Sequence, residues 1–523
     1  MSYLLIRNVS VLIVPEHGDC RVDEAQDIHI HDDKITAITP TGTPLQLPPP
    51  RVEETGSPEV DRERTGDPEV DRVGTGSRET DRDGAGSRET DRVGAGSRET
   101  ERDGAGSRQA DRDTAGGPGG VPGRGVEPEV VEGRGLVAVP GLVNSHTHSP
   151  MVMMRGAAED LAIEDWFNQR IWPMEVNLTA ERVRVGARLA CAEMLLAGVT
   201  TFVDHYFHAD QIAEAAIESG IRADLAPTYF SSTGPEAIEA AITTARDLRN
   251  RSPRITASLG PHATYTVSDD DLRRTADIAR AEGFRIHLHA AETDDQTQSS
   301  IDRLGVTPIQ VLERTGVLDA GALIAHGCGI READLPILEQ YGDRTAVACC
   351  PKVYLKLAMG TVTPIKSLQS KGVKVGIGTD GAAVHNTLDV WESLRMVALT
   401  QKQREQDAEW MNVSDTLRLA TRGGAAAAGL ADRIGVLEPG RQADLALVDL
   451  SGPHCQPVHD PRAALVYSVR SSDVVTVLVA GRVVVRDRQL TTMNLDEVLA
   501  DAKDLAHTLV DLSKGGAVQH YAP

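Results

Sequence analysis

Short apolar runs, each closed by a polar residue, recur along the middle of the chain with helical stretches between them. The first is Pro140-Gly-Leu-Val-Asn-Ser-His-Thr-His-Ser149, and β-prone runs follow at Thr200–Val203, Thr256–Leu259, Phe284–Ile286, Ala322–Ala325 and Val373–Ile377. From Ala180 to Leu196 apolar residues recur instead at spacings of three and four, the period of an amphipathic helix, until Gly198 stops the pattern. The two kinds of run alternate to about Gly429, as repeated βα units require. A (β/α)8 barrel takes ~250 residues and keeps its chemistry at the C-terminal ends of its strands. The pattern therefore predicts an α/β chain with such a TIM barrel over residues 141–430.

Both ends of the chain read as strands. Residues 3–14, 27–38 and 130–139 carry β-prone runs, and so do 474–479 and 482–486, where Ala480-Gly481 suits a two-residue hairpin link. Residues 494–513 predict one amphipathic helix packed on the outside, followed by a tail expected to fray. Between Gly56 and Ala115 a decapeptide repeats six times, from GSPEVDRERT to GSRQADRDTA. It is Gly-rich, charged and nearly devoid of apolar side chains, so burial cannot offset its ordering entropy. Residues 56–126 are accordingly expected to be a disordered surface insertion.

Composition narrows the partners. A formal charge of -23 argues against nucleic acid and anionic membranes, which need clustered Lys and Arg, and favours a small-molecule substrate. Six cysteines without CxxC spacing read as reduced thiols. The N-terminus lacks a signal-peptide pattern and no apolar stretch approaches a membrane span, so a cytoplasmic location is expected. Nothing in the composition speaks against a homo-oligomer.

The polar residues that close the strands carry the chemistry. His146 and His148 are two apart, so on a strand their imidazoles share a face and can take one metal ion. Gly260-Pro-His262, His287-Leu-His289-Ala-Ala-Glu292, Ala325-His326-Gly327 and Gly376-Ile-Gly-Thr-Asp380-Gly381 follow in that order. This series resembles the amidohydrolase superfamily, and within it the mononuclear-metal aminohydrolases that include S-adenosylhomocysteine/methylthioadenosine, guanine and cytosine deaminases and triazine hydrolases.

The resemblance implies a β-sandwich beside the barrel, built from residues 1–55, 127–140 and 431–490, with residues 491–523 as the C-terminal helix and tail. It implies one divalent ion, zinc or else iron, on His146, His148, His289 and Asp380, with a position left for water. Glu292 would protonate a ring nitrogen, Asp380 would take the water's proton, and His326 would orient the attacking oxygen. His287 shares a strand face with His289, but the motif assigns the metal to His289 and leaves His287 structural. The absence of lysine between Lys34 and Lys352 disfavours the carboxylated-lysine bridge of two-metal members.

The segment from Met154 through Trp166 to Glu175 is similar to the adenosine-type deaminases, which implies substrate contacts for Glu175, His262 and Trp166. The expected function is hydrolytic deamination of a purine-like heteroaromatic amine, an adenosine derivative in the first place. The alternatives are a triazine-type chlorohydrolase or aminohydrolase, or a guanine, cytosine or pterin deaminase. Two segments depart from the family pattern: Leu225–Gly234 has no arginine, and Cys349-Cys350-Pro351 replaces a His-Asn-Pro type of loop. Both fall where the outer part of the substrate should lie.

The repeat gives a first test. Deleting Gly56–Ala115 should leave metal content and turnover within a small factor of the parent, measured on purified protein. An insoluble or inactive product would show that the insertion is structural.

Overall fold

The computed structural model describes residues 2–44 and 128–521; the repeat insertion expected at 56–126 lies outside the described residues. Strands β1 (Tyr3–Ile13), β2 (Arg21–His31), β3 (Lys34–Pro40), β4 (Glu129–Glu132) and β5 (Leu136–Pro140) come from the N-terminal part. The central strands are β6 (Leu142–Thr147), β7 (Val199–Tyr206), β8 (Arg222–Tyr229), β9 (Ile255–Ala257), β10 (Gly260–Pro261), β11 (Ile286–Ala290), β12 (Ala322–His326), β13 (Thr345–Cys349) and β14 (Lys374–Ile377). The C-terminal part adds β15 (Leu445–Asp449), β16 (Val474–Val479), β17 (Arg482–Arg486) and β18 (Gln489–Leu490).

The central strands are parallel throughout and make two arcs, β6 to β10 and β11 to β14. Parallel bridges from Leu259 to Ile286 and from Ala263 to His289 join the arcs on one side. On the other, the N–H groups of Thr379 and Asp380 both donate to the His146 carbonyl, at 3.1 and 2.9 Å. The arcs thus form a (β/α)8 barrel. Helices return between the strands, among them Ala180–Leu196, which starts on the Thr179 hydroxyl and stops before Gly198 at φ 81°.

Strands from both ends of the chain form one nine-stranded sheet in the order β18-β17-β16-β15-β5-β1-β2-β3, with β4 also on β1. Strand alternation divides its side chains between two cores. Val137, Val139, Ala446, Val448, Val477 and Val479 pack into the core they share with the barrel. Their neighbours Ala138, Leu445, Leu447 and Leu478 pack with Leu4, Ile6, Ile28 and Ile35 in the sheet's own core. The sheet is therefore fastened to the barrel by one face only.

Three details differ from the sequence expectation. The strand expected from residue 27 begins at Arg21, and Asp32 at φ 53° turns the chain from β2 into β3, its antiparallel partner. The last helix, Leu495–Leu509, ends before residue 513. The tail does not fray along its whole length, since Tyr521 is buried. Among the described residues, no helix is long and apolar enough to cross a membrane.

One buried ion pair links the barrel to the sheet. Arg222, at the start of β8, donates from Nε and Nη2 to the two carboxylate oxygens of Asp444, each at 3.1 Å, and both side chains are 1% exposed. Asp444 Oδ1 also accepts the Ala480 N–H at 2.7 Å, and Gln442 accepts from Arg222. Arg222→Ala should cost about 3–5 kcal/mol in urea unfolding, because it leaves a buried carboxylate unpaired. The double change Arg222→Met with Asp444→Leu should recover much of that loss. A single-variant loss below about 1 kcal/mol would mean that the pair is not a fastening.

Candidate metal centre and active site

Three imidazoles are held so that their Nε2 atoms converge. His148 Nδ1 donates to the His205 carbonyl at 2.6 Å, and His289 Nδ1 to the His262 carbonyl at 2.8 Å. A carbonyl oxygen only accepts, so each Nδ1 carries a proton and each Nε2 is the nitrogen left facing the cluster. His146 Nδ1 lies 2.9 Å from His287 Nε2, and its own Nε2 is buried without a hydrogen-bond partner. His289 Nε2 is 3.3 Å from His148 Nε2, while Asp380 Oδ1 lies 3.1 Å from His148 Nε2 and 3.4 Å from His146 Nε2.

These separations suit a metal ion. A tetrahedral ion with bonds of ~2.0–2.1 Å sets its ligands about 3.3–3.4 Å apart, and imidazole and carboxylate are the matching donors. Electrostatics agree. Burial opposes a charged His148, yet the Asp380 hydrogen bond and charge lift it to about 9. Burial likewise opposes an ionised Asp380, but the two imidazoles hold its carboxyl well below the usual range. The cluster is built to take up positive charge.

The closure of the barrel positions Asp380. Asn144 on β6 donates to the Thr379 hydroxyl at 2.8 Å and accepts the Thr379 N–H at 3.0 Å, and Thr147 donates to the Asp380 carbonyl at 3.1 Å. Gly378 allows the approach: a Cβ there would lie 2.8 Å from Cys350 Sγ and 3.0 Å from both His146 Cβ and its carbonyl oxygen. Ala291, His326 and Asp380, each just after or at a strand end, have left-handed φ values of 48°, 74° and 61°. Non-glycine residues held in that region are concentrated at functional sites.

The cavity above this cluster gathers every remaining residue singled out in the sequence. His148, Trp166, Glu175, His262, His289, Glu292, His326 and Asp380 all line it. Glu292 is held by the first turn of the helix Asp294–Leu304: its N–H donates to Gln296 Oε1 at 2.8 Å, and Gln296 Nε2 donates back to Oε2 at 3.4 Å. Burial first, and then the charge of Asp380, push the Glu292 carboxyl up to about 8. Its Oε1 lies 3.8 Å from His326 Nε2. Burial holds His326 and His262 neutral, each near 3. Glu175 accepts from the Tyr206 hydroxyl at 2.8 Å and is raised by burial to about 7.

Several residues were missed in the sequence. His205, at the end of β7, offers its carbonyl to His148 and its ring to the cavity, with Nδ1 2.9 Å from Thr228 Oγ1. Asp204 accepts the Ser149 N–H at 3.2 Å as well as its hydroxyl, and so fixes the turn that follows His148. His287 contacts no substrate space but supports His146. Two successive polar residues after an apolar run, Asp204-His205, were the available signal for β7.

A parallel barrel with imidazoles and a carboxylate converging at the carboxyl ends of its strands defines a metal-dependent hydrolase. The Amidohydrolase family model matches residues 137–484, and the chain belongs to that family. It is 40% identical over 399 residues to a 5-methylthioadenosine/S-adenosylhomocysteine deaminase of Pelotomaculum thermopropionicum, covering 76% of this chain and 91% of that protein. A like-named protein of Moorella thermoacetica is 38% identical over 392 residues, 74% of this chain and 91% of its own length. Among solved structures, a zinc-bound adenosine deaminase from Xanthomonas campestris aligns with a TM-score of 0.77 at 29% identity, over 97% of this chain and 98% of that one. A zinc complex of an atrazine chlorohydrolase from Arthrobacter aurescens has a TM-score of 0.72 at 23% identity, over 96% and 100%, which is a likeness of fold.

Elemental analysis should find about one tightly held divalent ion per chain. His148→Ala should lose both the ion and activity. Two equivalents, both needed for turnover, would refute a single-ion centre.

Proposed function

We propose that the chain is a zinc-dependent deaminase of adenosine derivatives with a neutral 5′ substituent, replacing the exocyclic amine of the purine by a carbonyl and releasing ammonia. One observation carries the reading. Two buried carboxyls in the same cavity are driven in opposite directions, Glu292 up to about 8 and Asp380 well below its usual range. Such a pair supplies one acid and one base at neutral pH.

His146, His148, His289 and Asp380 would hold the ion, which supplies Lewis acidity toward water. Asp380, ionised, takes the proton of the attacking water. His326, kept neutral, orients that oxygen toward the ring carbon that bears the amine. Glu292, protonated, donates to the neighbouring ring nitrogen, so that the electron pair displaced from the ring is received as an N–H bond. The amine takes the proton held by Asp380 and leaves as ammonia, while the hydroxyl proton of the former water passes to Glu292 and the carbonyl forms. Tyr206 occupies one oxygen of Glu175 and leaves the other for a ribose hydroxyl. Trp166 and His262 complete the walls around the base.

The neutral substituent follows from the lining. Among the described residues, neither lysine nor arginine lines the cavity, whose outer side chains include Met151, Val353, Leu357 and Val384. A carboxylate carried by a homocysteine group would be desolvated there without a counter-charge. Names of the relatives support a purine nucleoside; the lining favours its adenosine and methylthioadenosine forms.

Kinetics separate the roles. Glu292→Gln should keep the ion and lose turnover by ~10²-fold or more. Glu175→Gln should raise KM for the nucleoside with little change in kcat, because it removes a contact made equally in ground and transition states. An equal effect of Glu175→Gln on adenosine and on its free base would remove the nucleoside assignment.

A further inference from the structure

The segment after the helix Leu495–Leu509 returns to the cavity wall. Asp511 to His520 are exposed or partly exposed, and then Tyr521 is buried at 2% exposure. Its ring stacks on Phe167 at 4.9 Å and 14°, meets Tyr265 edge-on at 5.5 Å and lies 6.4 Å from Trp172. Phe167, Tyr265 and Trp172 all line the cavity, whereas Tyr521 does not. One ring outside the cavity therefore supports three of its aromatic walls.

Polar contacts tie the same two segments together. Asn168 pairs with the main chain of Tyr521 in both directions: Oδ1 accepts its N–H at 2.7 Å, and Nδ2 donates to its carbonyl at 3.1 Å. The Val518 N–H donates to the Trp172 carbonyl at 3.3 Å. Asn177 Nδ2 donates to the carbonyls of Leu509 and Asp511, at 2.9 and 2.7 Å. The tied stretch, residues 166–177, carries Trp166 and Glu175 and includes a π-helical turn, Trp166–Ile171, a geometry enriched at functional sites. With this wall in place the cavity it covers is about 40 Å³.

We infer that Tyr521 is a positioning residue of the substrate site: residues 510–521 hold the aromatic segment 163–177 in its closed place, and so set the binding of a planar, ribose-bearing substrate. The inference rests on the reading of this cavity as the substrate site, but its structural half can be tested without any substrate. Hydrogen exchange and kinetics on the full-length, metal-loaded protein test it, with Tyr521→Ala, Asn168→Ala and Tyr521→Phe as the variants.

Losing the stacked and edge contacts, or the paired hydrogen bonds, should speed amide exchange in residues 163–177 by about tenfold, while exchange in β11 and the metal content stay at the parental level. KM for methylthioadenosine should rise by about tenfold with kcat within about twofold, as expected for a change in binding alone. Tyr521→Phe keeps the ring and should stay close to the parent in both measurements. Unchanged exchange in 163–177 would overturn the inference, and so would exchange that rises equally in β11, which would mark a loss of fold stability. If no adenosine derivative is turned over while 163–177 still loosens, the substrate assignment fails and the positioning role stands.

Discussion

The site depends on how the first and last barrel strands meet. β6 carries the two imidazoles His146 and His148, and the chain beyond β14 carries Asp380; they lie together because two successive N–H groups, of Thr379 and Asp380, share the His146 carbonyl. That approach leaves no room for a side chain at two positions of the closing segment, Gly376 and Gly378. A Cβ at Gly376 would collide with the Ser145 side chain, and one at Gly378 with Cys350 and His146. The glycines before Asp380 are thus a packing requirement of closure, and closure delivers the fourth candidate ligand to the other three. A side chain at Gly376 would part the strands and move the carboxylate without touching a candidate ligand, and one at Gly378 would press on His146 directly.

Charge is managed with similar economy. His146, His148, His205, His262, His287, His289 and His326 form one continuous set of ring contacts with centroids 4.8 to 6.1 Å apart. Burial opposes the charged form of all seven, and only at His148 do the Asp380 hydrogen bond and charge outweigh it. Only His148 is shifted toward its charged form, and the carboxylate facing it is Asp380. A desolvated site cannot hold more than a little net charge, since each unpaired ion costs several kcal/mol.

Much of this was legible in the sequence because strands have a period of two. His146 and His148, or His287 and His289, share a face for that reason, and polar residues at the ends of apolar runs fall at one end of a barrel. What was illegible acts through the backbone or over long range. His205 and His262 fix the ligands with their carbonyls, which every residue possesses. The left-handed turns at Ala291, His326 and Asp380 have no glycine to announce them. Tyr521 pairs with Asn168 across 353 residues, and an exposed, polar run before it gave no sign of a buried anchor.

Stability and chemistry occupy opposite ends of the barrel strands, and that separation allows strain at one of them. Arg222 sits at the start of β8 and fastens the barrel to the nine-stranded sheet through Asp444, whereas Ala291, His326 and Asp380, all with left-handed φ, lie at or beyond the far ends of β11, β12 and β14. Each such residue costs on the order of 1–3 kcal/mol and survives only where its surroundings over-determine it. At Asp380 they do: its N–H is bound by His146, its carbonyl by Thr147, and its carboxylate faces two imidazoles. At His326 the carbonyl accepts from Thr363 at 2.7 Å, and the Tyr354 hydroxyl lies 3.5 Å away. The backbone is thus held against its preference by groups that make no contact with substrate, and the returning strain fixes the direction of His326 and Asp380 toward the barrel axis. Relaxing it with glycine would preserve every side chain of the metal set except the one replaced, yet would remove the reason for the others to stay where the chemistry needs them.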